Sequence, residues 1–168
     1  DPEAALLGLS RPVSPLRRRL ELSRLVRGLL DAQPDLAPRA AVFDLADSLA
    51  RLMDEMQGEG VSPDVIAGLD VSNHSAHWAR VQQFMQILRP FFSADEATDQ
   101  QARLRQVVDG LERAWQTLDP ADPVIIAGST GSRGTTLRMM QKVLARQRGV
   151  VVLPGFDFDM PLPVWAGL

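Results

Sequence analysis

Apolar residues recur every three or four positions from Ser14 to about Leu118, and this spacing predicts a run of amphipathic helices. "SPLRRRLELSRLVRGLLDAQP" puts Leu16, Leu20, Leu25 and Leu29 near one face, with Ser14 and Pro15 as start signals and Pro34 beyond the end. "PRAAVFDLADSLARLMDEMQGEG" repeats the pattern with Val42, Leu45, Leu49, Leu52 and Met56, and Gly58 and Gly60 stop it. "SPDVIAGL" reads as a short helix with Ser62 as N-cap and Pro63 in the first turn. "AHWARVQQFMQILRPFF" carries Trp78, Val81, Met85, Leu88 and Phe92 on a broad apolar face. The last of these helices carries Leu104, Val107, Leu111, Trp115 and Leu118, and Asp119–Pro120 ends it.

The pattern then changes period. "PVIIAG" and "GVVVLPGFD" are short, bare apolar runs, the signature of strands covered on both faces. Between them "GTTLRMMQKVLARQRG" predicts a helix with Leu137, Met140, Val143 and Leu144 inward and Gly149 as its stop. Strand, helix and strand of this length form a βαβ unit, for which a right-handed crossover is expected. The expected architecture is therefore mainly α with an α/β part. A helical subdomain of four to five helices occupies residues 1–119, and a partial α/β segment occupies 120–168.

Composition narrows the chemistry. The chain of 168 residues has no cysteine, which removes disulfides, thiolate metal sites and cysteine nucleophiles and suits a reducing cytoplasm. A net charge of −3 does not mark the whole chain as a nucleic-acid binder. No apolar run approaches the roughly 20 residues of a membrane-spanning helix, and no signal peptide is visible. The opening "DPEAALLGL" and the closing "DMPLPVWAGL" read as the ends of a segment from a longer protein.

The stretch "VIIAGSTGSRGTT" has the look of a phosphate-binding loop, but its register fails. A Walker A loop is G-x-x-x-x-G-K-[ST]. Counting from Gly128, the sixth position is Arg133, and Gly134 is followed by Thr135. Lys142, the chain's single lysine, lies well inside the next helix. Gly128, Gly131 and Gly134 also miss the dinucleotide-binding G-x-G-x-x-G. Two readings remain for Gly128, Ser129, Thr130, Gly131 and Ser132. One is a degenerate nucleotide- or anion-binding loop using backbone N–H groups. The other is a tight turn whose hydroxyls cap a helix.

These motifs carry a family resemblance. "AGSTGS" followed about twenty residues on by "VVLPG" is similar to the alphaproteobacterial type of double-strand break repair protein AddB. "LADSLARLMDEMQGEGV" and "HWARVQQFMQIL", with His77 next to Trp78, resemble the same family's helical region. The resemblance covers about Pro38 to Asp157, with Phe156 where the family usually has leucine and "GTT" in place of its usual residues after "GS". It implies a subunit of an ATP-dependent helicase–exonuclease that processes broken DNA ends for recombinational repair in the cytoplasm. The implied partners are DNA ends and the AddA-type helicase–nuclease subunit, with no membrane. The implied cofactors, ATP, Mg and an iron–sulfur cluster, belong elsewhere in the longer protein, with none in this segment.

By the same resemblance, residues 1–119 correspond to a helical subdomain of a superfamily 1 helicase-like motor, and 120–168 to the return of the chain into it. A working motor has an acidic pair after the strand that here ends at Ala127, where it holds magnesium and activates water. Gly128, Ser129 and Thr130 stand there instead, so no catalytic residue is expected. The expected role is structural, shaping a DNA channel and contacting the partner subunit. A helical interaction module without DNA contact and a small nucleotide-binding domain are the alternatives.

Other residues offer candidate contacts. Pro123 to Phe156 holds no acid, while Arg133, Arg138, Lys142, Arg146 and Arg148 lie within it. Arg138, Lys142 and Arg146, four apart, form one expected helical stripe that either contacts DNA phosphates or is a solvated face. Arg17, Arg18, Arg19, Arg24 and Arg27 make a second cluster whose members point different ways. His74 and His77 have helical spacing but lack further ligands for zinc. Asp157 and Asp159 are an acid pair without a partner group. Trp78 and Trp115 fall on apolar faces and are expected in the core.

Overall fold

In the computed structural model the described residues are 8–68, 75–93, 98–115, 122–155, 159 and 161–165. Helix α1 spans Pro15–Ala32, and a 3-10 turn at Arg39–Ala41 leads into α2, Val42–Glu59. Helix α3 spans Pro63–Ala67, and α4, Ser75–Leu88, continues into a 3-10 turn at Arg89–Phe92. Helix α5 is Gln100–Trp115. Strand β1, Val124–Ala127, is followed by α6, Gly134–Leu144, then β2, Gly149–Val152, and a short α7, Leu162–Trp165. The fold is mainly helical with a small parallel sheet. Two compact units divide within α5, one of residues 1–111 and one of 112–168.

The sequence signals at the helix ends act largely as expected. Ser14 Oγ accepts the Arg17 N–H at 3.3 Å, with Pro15 at the first helical position of α1. Helix α2 runs through Gly58 and ends at Gly60, whose φ of 72° lies in the left-handed region that glycine tolerates best. The Val61 N–H reaches the Met56 carbonyl at 2.8 Å and the Gly60 N–H reaches Gln57 at 3.3 Å, a Schellman ending. Ser62 holds the cap position of α3, but its side chain makes no capping bond.

Helix α1 buries a different face from the predicted one. Leu16 and Leu20 are 65% and 58% exposed, and Leu25 is exposed as well. The buried stripe is Arg18, Leu22, Val26 and Leu30, an i+4 ladder headed by an arginine. It packs with Val42, Ala46, Leu49, Met53 and Met56 of α2 and with Met85 and Leu88 of α4. Full burial of each leucine contributes about 1.5–3 kcal/mol, so the stripe at Leu22 and Leu30 outweighs leucines left in water. On α5 the predicted Leu104 is exposed, Val107 and Leu111 are half-buried, and Val108 is the large apolar residue that is buried.

The arginine heading the stripe is only 3% exposed, and its partner Asp99 is 4% exposed. Arg18 Nε donates to Asp99 Oδ1 at 2.8 Å, and its Nη1 donates to Glu21 at 2.7 Å. The guanidinium lies 4.1 Å from the centre of the Phe91 ring, a cation–π contact strengthened by desolvation. Gln57 Nε2 donates to the other oxygen of Asp99 at 3.2 Å. Asp99 stands just before α5, and its carbonyl accepts the Arg103 N–H at 2.8 Å. Two further bonds tie the segment ahead of α1 to this corner. The Val13 N–H donates to Thr98 at 2.9 Å, and Arg103 Nε donates to the Ser10 carbonyl at 2.9 Å.

In the second unit β1 and β2 pair in parallel, Val124 opposite Gly149 and Ala127 opposite Val152. Helix α6 packs against both strands with Met140 and Val143 buried. Gly149 is required by close approach, because a Cβ there would collide with the Val143 carbonyl. It opens β2, whereas α6 already stops at Leu144. Burial alternates along both strands, so one face is half-covered and the other open. Ile125, Val150 and Val152 are exposed on the open face. The expected cover on both faces is thus absent among the described residues, since one helix shields one side of two strands. No helix among the described residues is long and apolar enough to cross a membrane.

Asp54 on α2 has its pKa raised, first by desolvation and then by the charge of Asp99. A carboxyl raised in the fold binds its proton more tightly there than in the unfolded chain. Its contribution is therefore favourable at low pH and is lost as pH rises through the carboxylate range. Asp54→Asn is expected to raise the unfolding midpoint at pH 7, with the gain shrinking as pH falls toward 4. Thermal melts of both proteins across that range check this. A lower midpoint at pH 7 would contradict it.

Candidate functional site

The loop between β1 and α6 leaves the sheet beside the end of β2. The Gly128 N–H donates to the Val152 carbonyl at 3.0 Å, which extends the ladder one residue past β1. Gly128 and Gly131 have φ of 79° and 67°, a backbone conformation that side chains rarely adopt. Gly131 is buried, and a Cβ on it would lie 2.8 Å from Met140 Sδ. Its N–H donates to Ser129 Oγ at a long 3.4 Å. Thr130 and Ser132 are exposed.

The predicted hydroxyl cap is not formed. Helix α6 starts at Gly134, so its N-cap is Arg133, which makes no side-chain capping bond. The hydroxyls stand one position too early, at Ser132, or inside the first turn, at the buried Thr135.

This loop does not fit a nucleoside triphosphate with magnesium. One N–H of the turn is taken by Ser129, and the buried side of Gly131 is filled by Met140. Lys142 is on the third turn of α6, away from the loop, and the stretch from Pro123 to Phe156 supplies no carboxylate for a metal.

The basic stripe is shorter than its spacing predicts. Arg138 and Lys142 lie four apart on α6 and are half-buried. Arg146 falls beyond the helix, which is capped at Ala145. Its guanidinium sits 5.0 Å from the centre of the Trp115 ring. Its Nε is buried, with no acceptor among the described residues. Leu137 and Leu144, expected inward, are exposed, because a single helix over two strands buries only its narrow Met140–Val143 stripe.

The arginines of α1 mostly serve the fold. Arg17 pairs with Glu21 at 2.9 Å. Arg19 makes a two-pronged contact with Asp47, with Nη2 at 2.9 Å from Oδ2. That hydrogen bond, and then the charge of Asp47, raises the pKa of Arg19. Trp78 and Trp115 are half-buried rather than fully in a core. Among the described residues no group of three or more His, Cys, Asp or Glu could hold a metal. Asp159 is exposed, while His74, the His77 side chain, Leu118 and Asp157 lie outside the described residues.

A feature that sequence reasoning missed lies in the helical unit. A groove of about 370 Å³ is lined by residues that include Gln57, Phe91, Phe92, Ala102, Arg105 and Asp109. They come from the end of α2, the 3-10 turn after α4 and the middle of α5. No local motif links them, because the groove exists only once the three segments pack.

No family model, curated protein or solved structure matches the chain.

Titration of the chain with ATP and magnesium is expected to show no saturable heat with a Kd below about 1 mM. Saturable binding that is lost in Ser129→Ala or Gly131→Ala would contradict the reading of the loop.

Proposed function

We propose that the chain is a segment of an AddB-type subunit of a DNA-end-processing helicase–exonuclease, with a structural and not a catalytic role. One observation carries this reading. The two most specific motifs, "AGSTGS" and "VVLPG", close adjacent parallel strands at the same sheet end, with Ala127 opposite Val152 and Gly128 bonded to Val152. That end is where open α/β sheets place their ligand sites. The turn keeps the backbone path of such a site, yet it holds neither the lysine nor the carboxylates of phosphoryl-transfer chemistry.

The open sheet face supports a packing role. Parallel sheets occur with both faces covered, and Ile125, Val150 and Val152 present bare apolar surface. In this proposal that face meets the rest of the helicase-like motor domain, while the segment contributes to a DNA channel and to contact with the AddA-type subunit. Arg138 and Lys142 are the candidate phosphate contacts, since an acid-free stretch with several cations attracts a polyanion without reading its sequence. Arg146 contributes less, because its guanidinium faces Trp115.

The test belongs in the parent protein assembled with its AddA-type partner. Arg138→Ala with Lys142→Ala is expected to weaken DNA-end binding uniformly across sequences and to lower the salt slope by about 1 per lost contact. Unchanged affinity and slope at two salt concentrations would remove the DNA contact and favour an interaction module instead.

A further inference from the structure

The groove of the helical unit combines two opposite charges with apolar surface. Among the described residues its charged lining is Arg105 and Asp109, one helical turn apart on α5. Asp109 is exposed and Arg105 is half-buried, so solvent reaches both. The guanidinium of Arg105 stands at the groove wall, and not only its stem. It lies against Gly60, another lining residue, so closely that a Cβ there would collide with Cζ. Its Nη1 donates to the Gly58 carbonyl at 3.2 Å. That acceptor is neutral, and a guanidinium carries several N–H donors, so it retains donors for an anion. A carboxylate such as Asp109 accepts from more than one donor.

The charges select the occupant. A ligand with a carboxylate alone would meet the like charge of Asp109, and one with an ammonium alone would meet Arg105. A molecule that carries both groups satisfies both side chains. In a free α-amino acid the two groups share one carbon, which suits side chains a single helical turn apart, with Cβ atoms about 5–6 Å from each other. Inside a peptide chain both charges are lost to amide bonds, so a peptide residue has no such match. Phe91 and Phe92 add half-buried aromatic surface, with one face of Phe91 taken by the Arg18 guanidinium. That surface favours an apolar side chain. The volume of about 370 Å³ lies at the small end of ligand pockets and takes one molecule of this size.

We propose that this groove binds a free zwitterionic α-amino acid with an apolar or aromatic side chain. Its carboxylate meets Arg105, its ammonium meets Asp109, and its side chain lies against Phe91 and Phe92.

The probes are L-phenylalanine, phenylpropanoate, phenylethylamine and N-acetyl-L-phenylalaninamide, titrated into the 15N-labelled chain at neutral pH. Phenylpropanoate lacks the ammonium, phenylethylamine lacks the carboxylate, and the blocked amide carries neither charge. L-Phenylalanine is expected to shift the Gly60 and Ala102 amide resonances saturably, with a Kd of about 1 mM, as small ligands of this size reach. Each of the other three is expected to bind about tenfold more weakly, the loss of one charged hydrogen bond. Asp109→Asn, at an exposed position, is expected to weaken L-phenylalanine and to strengthen phenylpropanoate, because it removes the partner of the ammonium and the repulsion of the carboxylate together. Three results would each overturn the proposal. These are no saturable shift with L-phenylalanine, equal or tighter binding of any of the other three probes, or an unchanged preference in D109N.

Discussion

The helical unit is organised by the buried pair Arg18–Asp99. Each charge would be expensive to bury alone. Asp99 therefore needs a donor on each oxygen, and Arg18 and Gln57 supply them. Arg18 in turn is completed by Glu21 and the ring of Phe91. These five side chains come from α1, α2, the turn after α4 and the residue just before α5, so a single polar cluster links four segments. The leucine and methionine core beneath supplies non-directional attraction. The ion pair adds direction, since the paired geometry admits one register of α1 against α5.

The same cluster creates the groove. Gln57 turns its Nε2 toward Asp99 and lines the groove beside Phe91 and Phe92. The raised pKa of Asp54 has a related origin, because Asp99 adds its charge to the desolvation of that carboxyl. One pair thus sets a packing register and adds to a pKa that desolvation already raises at Asp54. The sheet unit follows a different logic. It has the turn geometry of a ligand-binding α/β edge without the reactive groups, and an apolar face that calls for a cover.

Much of this was legible in the sequence. Caps at Ser14 and Gly60 and the change of period near Pro120 locate the elements, because those signals act within one turn of chain. The strand–helix–strand order and the failed Walker register are likewise local. The buried face of α1 was not legible. Apolar counting selects Leu16 and Leu20, whereas the true stripe begins at Arg18, and an arginine enters a core only when a carboxylate 81 positions away arrives to meet it. The exposure of Ile125, Leu137 and Leu144 was hidden for a similar reason. An apolar run records the surface that a sequence is suited to bury, and says nothing of how many layers surround it. Arg146 left its expected stripe because α6 stops two residues earlier, at Leu144.

The central claim, that Arg18 and Asp99 hold the helical unit in register, is tested most directly by a double-mutant cycle in denaturant. Arg18→Met is predicted to lower stability by about 3–5 kcal/mol, since it strands the buried Asp99, and Asp99→Leu by a smaller amount, since Glu21 still pairs with Arg18. The double variant is predicted to recover most of that loss, because a matched apolar pair removes both uncompensated charges. Two single losses below about 1 kcal/mol, or losses that simply add in the double variant, would show that the pair does not organise the fold.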